Sequence, residues 1–133
     1  MRQGRVILAD THPNVLGGIR RLLEAEVETV LMVTDETSLR HALEHIHPDV
    51  VVADLSLPVS AKTNIARELK KNYPQTKIII LSIHDDRSVF EEVMASGIEG
   101  FVLKRRAAID LIPAIREVLR GNKYISPDAN GEP

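Results

Sequence analysis

A doubly wound α/β fold, with five parallel strands flanked by five helices in three layers, is what the sequence predicts from three observations. Short β-rich runs at residues 6–9, 29–33, 50–53, 77–81 and 100–103 alternate with stretches of helical period. Several of these runs are apolar on consecutive rather than alternate residues, as in Val50-Val51-Val52-Ala53. That pattern implies burial on both faces, the condition of a parallel sheet covered by helices. The length of 133 residues suits one domain and is enough to bury a core without disulfides or a structural metal.

Each intervening stretch carries its own helix signal. The first is expected over residues 13–26, with Val15, Leu16, Ile19, Leu22 and Leu23 on one face and Pro13 in the first turn. The second spans 38–46, with Leu39, Ala42, Leu43 and Ile46 inward, Thr37 or Ser38 as its cap, and Pro48 beyond its end. A third, over 61–72, carries Ile65, Ala66 and Leu69 and is followed by Pro74. The fourth, over 87–96, turns Val89, Phe90, Val93 and Met94 inward, and Gly97 suits a left-handed stop. The fifth reaches Arg120 with Leu111, Ile112, Ile115, Val118 and Leu119; Pro113 must lie near its first turn or bend it. Residues 122–133 have little apolar content and read as a linker or frayed end, which sets the domain at 1–121.

Composition narrows the function. With no cysteine, disulfide frameworks, thiolate metal sites and thiol catalysis are excluded. A formal charge of -2 argues against bulk attraction to DNA or an anionic membrane. No apolar run approaches the ~18 residues of a membrane span, and the run from Val6 ends at Asp10, too short for a signal peptide. Two Phe, two Tyr and no Trp leave little for base stacking. A soluble, cytoplasmic domain with no membrane partner is expected.

Ligands of open parallel sheets bind beyond the carboxyl ends of the strands. Those ends here carry Asp10, Asp54, Ser82 and Lys104. Polar residues are ordinary where a chain leaves its core, but two carboxylates, a hydroxyl and an ammonium make a chemical set. In the strand order 2-1-3-4-5, Asp10 and Asp54 are neighbours, and close carboxylates repel unless a cation lies between them. Oxygen ligands with room for water favour Mg²⁺ over zinc. Lys104 and Ser82 suit the oxygens of a phosphoryl group, and a carboxylate attacking phosphorus forms an aspartyl phosphate.

The stretches 6–13, 48–58, 80–86, 97–104 and 121–127 together resemble the response-regulator receiver (CheY-like) domain, in particular its NarL/FixJ (LuxR-type) branch. The resemblance covers residues 5–127 and implies a flavodoxin-like (βα)5 fold. It also implies that Asp54 is the phosphoacceptor, Ser82 the switch hydroxyl, Lys104 the phosphate-binding lysine and Phe101 the rotating aromatic. Mg²⁺ would be held by Asp10, Asp54 and the backbone carbonyl of Ser56. A sensor histidine kinase would supply the phosphoryl group. Apart from the resemblance, a homodimer formed through the final helix and its neighbours is expected, since two-fold pairing is the commonest oligomer mode. DNA would be contacted only through a C-terminal domain outside this chain, reached through 122–133. Such a domain is a signalling phosphoacceptor rather than an enzyme; at most it promotes its own phosphorylation and dephosphorylation.

Three departures from the family pattern carry expectations of their own. Thr11 stands where a second acidic metal ligand is usual, residues 59–64 lack the customary glycine and apolar character, and Arg105-Arg106 follow Lys104 where an acidic residue is common. Mg²⁺ binding is therefore expected to be weakened, with His12 or Lys62 adding positive charge beside Lys104. Two alternatives stand beside the phosphorylation switch. One is a pseudo-receiver acting as a phosphorylation-independent interaction module, favoured by Thr11. The other is an aspartate-nucleophile hydrolase, disfavoured because His12 stands where a second Asp would be required.

Other signals are weaker. His41 and His45 have metal-ligand spacing but no third ligand, so an exposed helix face is expected. His12 and His84 lie in loops near the site, where local capping or solvation is the plain reading. Lys104-Arg105-Arg106 is too short for nucleic-acid binding, with Lys104 inward and the arginines on the surface.

Overall fold

The computed structural model describes residues 4–12 and 16–129. The elements in chain order are β1 (Arg5–Ala9), α1 (Gly17–Glu24), β2 (Thr29–Val33), α2 (Glu36–Ile46), β3 (Val50–Asp54) and α3 (Ile65–Asn72). They continue as β4 (Lys77–Ser82), α4 (Arg87–Met94), β5 (Gly100–Leu103), a 3₁₀ turn (Lys104–Arg106), α5 (Ala107–Leu119) and β6 (Tyr124–Ile125). All strand pairs are parallel, in the order β2-β1-β3-β4-β5-β6. Successive strand side chains alternate between faces. Ile7, Ala9, Val51 and Ala53 therefore pack toward α2, α3 and α4, while Val6, Leu8, Val50 and Val52 pack toward α1 and α5. β3 is buried along its whole length, as its unbroken apolar run requires.

The sixth strand corrects the reading of 122–133 as a linker or frayed end after a body of 1–121. Tyr124 pairs with Gly100 and Ile125 with Phe101, Ser126 and Ala129 are buried, and the packed body runs on to Ala129. A strand of two residues is too short to show a hydrophobic period, and backbone bonds hold it: Tyr124 N to Glu99 O at 3.1 Å and Ser126 N to Phe101 O at 2.9 Å.

The helix stripes hold with local changes. Pro13 and Val15 lie outside the described residues; Leu16, Ile19 and Leu23 are buried, but Leu22 is 57% exposed, on the outer edge of α1. α2 starts two residues before its expected start, because Asp35 rather than Thr37 or Ser38 is the cap, accepting from Ser38 N at 2.7 Å. Asn64 caps α3 in the same way, which moves its start to Ile65. Gly97, at φ +89°, makes the left-handed stop after α4. Pro113 lies well inside α5 rather than in its first turn. The amide it lacks would have bonded Ile109, whose side chain is on the solvent face, so water is at hand to replace that bond.

Candidate functional site

The sheet brings four residues to one edge. Asp10 follows β1, Asp54 ends β3, Ser82 ends β4 and Lys104 follows β5. Ala9 lies opposite Ala53, Asp54 opposite Leu81, and Ser82 opposite Leu103, so the chain leaves all four strands at the same level.

The Lys104 ammonium stands between the two carboxylates, with Nζ 2.5 Å from Asp54 Oδ2 and 2.8 Å from Asp10 Oδ2. Asp10 and Asp54 are 1% and 3% exposed. The other oxygen of each carboxylate is taken by its own loop. Asp54 Oδ1 accepts from Ser56 N at 2.8 Å and Ser56 Oγ at 2.7 Å, and Asp10 Oδ1 accepts from His12 N at 2.7 Å. Burial pushes the Asp54 carboxyl up, but the Lys104 and Ser56 donors outweigh it and hold the group below the usual carboxylate range. Burial likewise pushes Lys104 down, and the hydrogen bonds and charges of Asp10 and Asp54 outweigh it, holding the ammonium above its ordinary value. Two buried anions thus share one cation, a charge excess of one.

Ser82 is at the same edge, 1% exposed, but its hydroxyl is engaged elsewhere. Oγ donates to His84 O and accepts from His84 N, both at 2.9 Å, in a small turn closing the β4–α4 loop. Thr11 is exposed, and its hydroxyl lies 3.1 Å from His12 Nδ1 rather than at the carboxylates. The side chain of His12 is 74% exposed. Phe101 is fully buried on the core side, edge-to-face with Phe90 of α4 at 5.3 Å between ring centroids. Arg105 pairs with Asp85 at 3.2 Å and joins the two loops on the Ser82 and Lys104 side. His41 and His45 stack on each other on α2, and among the described residues no group of three or more His, Cys, Asp or Glu is placed to hold a metal.

Two features were missed in the sequence. One is the Ser56 side chain, whose hydroxyl reaches Asp54 in addition to its backbone. The other is a third buried carboxylate, Asp110, 2% exposed on α5. Its signal was present: Asp110 interrupts the inward stripe Ala107, Leu111, Ala114 and Val118.

Residues 6–116 match the family model of the response regulator receiver domain. The chain belongs to that family. It is 34% identical over 125 residues to the transcriptional regulatory protein DegU of Brevibacillus brevis, covering 92% of this chain and 53% of DegU. It is 34% identical over 130 residues to the transcriptional regulatory protein RcsB of Escherichia coli K12, covering 93% of this chain and 60% of RcsB. The receiver therefore spans between half and two thirds of the length of these curated relatives. The isolated receiver domain of RcsB from Salmonella enterica serovar Typhimurium, solved with the phosphomimetic BeF3-, superposes with a TM-score of 0.86 at 31% identity and covers 98% of each chain. A LuxR-family response regulator from Aurantimonas sp. SI85-9A1 gives 0.83 at 28% identity, over 98% of this chain and 94% of that one. The receiver is thus of the NarL/FixJ (LuxR-type) branch of two-component response regulators. The pseudo-receiver alternative is not favoured. No helix among the described residues is long and apolar enough to cross a membrane.

Proposed function

We propose that Asp54 accepts a phosphoryl group from the phosphohistidine of a sensor histidine kinase. An Asp54 oxygen attacks phosphorus, the phosphorus–nitrogen bond breaks, and the imidazole leaves with the electron pair. The observation that carries this reading is the single Lys104 ammonium shared by Asp54 and Asp10. It keeps Asp54 ionised at neutral pH, hence nucleophilic, and it stands where negative charge collects on the transferred oxygens. Ser82 is the second donor. To reach a phosphoryl oxygen its hydroxyl must leave His84, which frees the β4–α4 loop, and the Phe90–Phe101 contact gives that change a packed route from β5 to α4.

The donor set fits a hard divalent cation, because it is all oxygen and includes two carboxylates. Among the described residues, buried Asp10 Oδ2 has Lys104 as its ionic partner and no hydrogen bond of good geometry, the state of an acceptor with capacity to spare. Asp10, Asp54 and the Ser56 carbonyl would hold Mg²⁺; Thr11 brings no charge, which supports weakened binding. When bound, the ion supplies electrostatic stabilisation of the transferred oxygens.

For the whole protein, the likeness to transcriptional regulatory proteins supports an output at DNA through a C-terminal domain, linked through the residues after β6. RcsB is known in complex with DNA, which supports the same reading. A homodimer and a cytoplasmic location belong to it. The test is phosphorylation by acetyl phosphate with and without Mg²⁺, read by intact mass. The native chain gains one phosphoryl group and Asp54→Asn gains none; labelling that survives Asp54→Asn would move the acceptor elsewhere.

A further inference from the structure

Asp110 is a buried carboxylate that the phosphotransfer step does not use. Its Oδ1 accepts from Tyr124 OH at 2.9 Å and, at 3.4 Å, from Arg106 Nη2; its Oδ2 accepts from Ser126 Oγ at 2.7 Å and Arg106 Nε at 2.8 Å. Burial pushes the carboxyl up, but the donors from Arg106, Ser126 and Tyr124 outweigh it and hold Asp110 below the ordinary carboxylate range.

What these bonds hold is the end of β5. Beyond the two residues of β6 the ladder lacks a partner, and Leu103 N donates instead to Ser126 Oγ at 3.1 Å. Ser126 N in turn donates to Phe101 O. Ser126 thus grips β5 on both sides of Val102, with its hydroxyl on the residue immediately before Lys104. A serine hydroxyl has one proton. Asp110 takes that proton, which leaves a lone pair turned to the Leu103 amide. On the other edge β5 is paired with β4, Leu103 lying opposite Ser82. The peptide that launches Lys104 is therefore clamped between the switch serine strand and the Asp110 cluster.

We propose that Asp110 is a positioning residue for Lys104, acting through Ser126, and that the same clamp couples the phosphosite to the segment after β6. This rests on the phosphoacceptor reading of Asp54 and deepens it. The coupling is reciprocal: a state of the site that draws Lys104 toward a phosphoryl oxygen strains or tightens the Leu103–Ser126 bond, and loosening that bond frees Lys104.

The test uses the full chain with Ser126→Ala, a mild truncation, and Asp110→Asn, which keeps volume and removes charge. Acetyl phosphate labelling is followed over time, and amide exchange at residues 100–106 and 124–126 is measured with and without beryllofluoride. Both variants are expected to lower the maximal labelling rate constant about tenfold, short of the hundredfold that a full ångström of misplacement costs. The half-saturating donor concentration and the final amplitude stay as in the native chain. Beryllofluoride changes protection of the Leu103 and Ser126 amides in the native chain and not in Asp110→Asn. Variants that label with the native rate constant, or that lose amplitude alone, show a cluster that only stabilises the fold, and the positioning role is overturned while Asp54 keeps its role. A native chain that takes no phosphoryl group overturns the phosphoacceptor reading itself and the positioning role with it.

Discussion

Asp54 and Asp110 are both carboxylates almost withdrawn from solvent, and each faces a basic side chain, yet the two regions are satisfied in opposite ways. Asp110 receives four hydrogen bonds from three residues, and its charge is matched by one guanidinium. Asp54 and Asp10 divide one ammonium between them, and among the described residues Asp10 Oδ2 has no other partner. Saturation makes a rigid joint, because every acceptor direction is used. Shortage makes a reactive one, because a cation or a phosphoryl group arriving at the strand ends finds a charge excess of one and, in Asp10 Oδ2, an acceptor with capacity to spare. The difference teaches where to look for chemistry in this fold: at the pair of carboxylates that share too little positive charge, since burial alone does not set Asp10 and Asp54 apart from Asp110.

The largest test of this contrast is Lys104→Met. Removing the ammonium leaves two buried carboxylates face to face, so labelling of Asp54 is expected to fall about 100-fold and stability to drop by about 3 kcal/mol. Adding Asp54→Asn to that variant relieves the repulsion, and urea unfolding should show the double variant regaining part of the loss. Equal stability of the single and double variants would mean that the two carboxylates do not oppose each other.

Acid unfolding gives the next largest effect. Asp54 and Asp110 are both depressed in the folded state. Each therefore contributes stability that is present above its unfolded value of about 3.9 and is lost as pH falls through the folded value. Asp110→Asn should flatten the acid limb of a stability–pH curve measured by urea unfolding, and should also soften the alkaline limb where burial and Asp110 together raise Tyr124. The alkaline limb also carries Lys104, whose raised value makes its contribution complete below about 10.4 and lost as pH rises through the folded value. An acid limb of unchanged slope in Asp110→Asn would show that the saturated cluster does not discriminate between folded and unfolded charge.

The smallest expected effect sharpens the comparison at the site. Thr11→Asp adds one negative charge to the under-supplied cluster, and Mg²⁺ titration by amide chemical shifts should show binding tightened about tenfold, with faster labelling of Asp54. Unchanged affinity would show that position 11, whose hydroxyl here is turned to His12, does not reach the metal.

How much of this was legible in the chain differs element by element. The five long strands were legible because burial on both faces forces unbroken apolar runs, as at Val50-Val51-Val52-Ala53. The helix stripes were legible from their period, but the caps were not: Asp35 and Asn64 lie outside the apolar stripes, and only the backbone shows which polar side chain turns back on an amide. β6 was illegible because a two-residue strand has no period.

The sequence alone determined the five long strands, the edge where the polar residues gather, and the identities of Asp10, Asp54, Ser82 and Lys104 at that edge. The elements follow from hydrophobic periodicity, while the order 2-1-3-4-5 was carried by the likeness to the flavodoxin-like fold. Only the tertiary structure decided which of those groups touch. Lys104 reaches Asp54 across 50 residues of chain and Asp10 across 94, Ser82 turns to His84 instead, and Ser126 crosses 23 residues to replace a missing ladder bond at Leu103. A hydrogen bond is fixed by distances of a few tenths of an ångström between side chains far apart in sequence, and no local pattern encodes such distances until packing has brought the strands together.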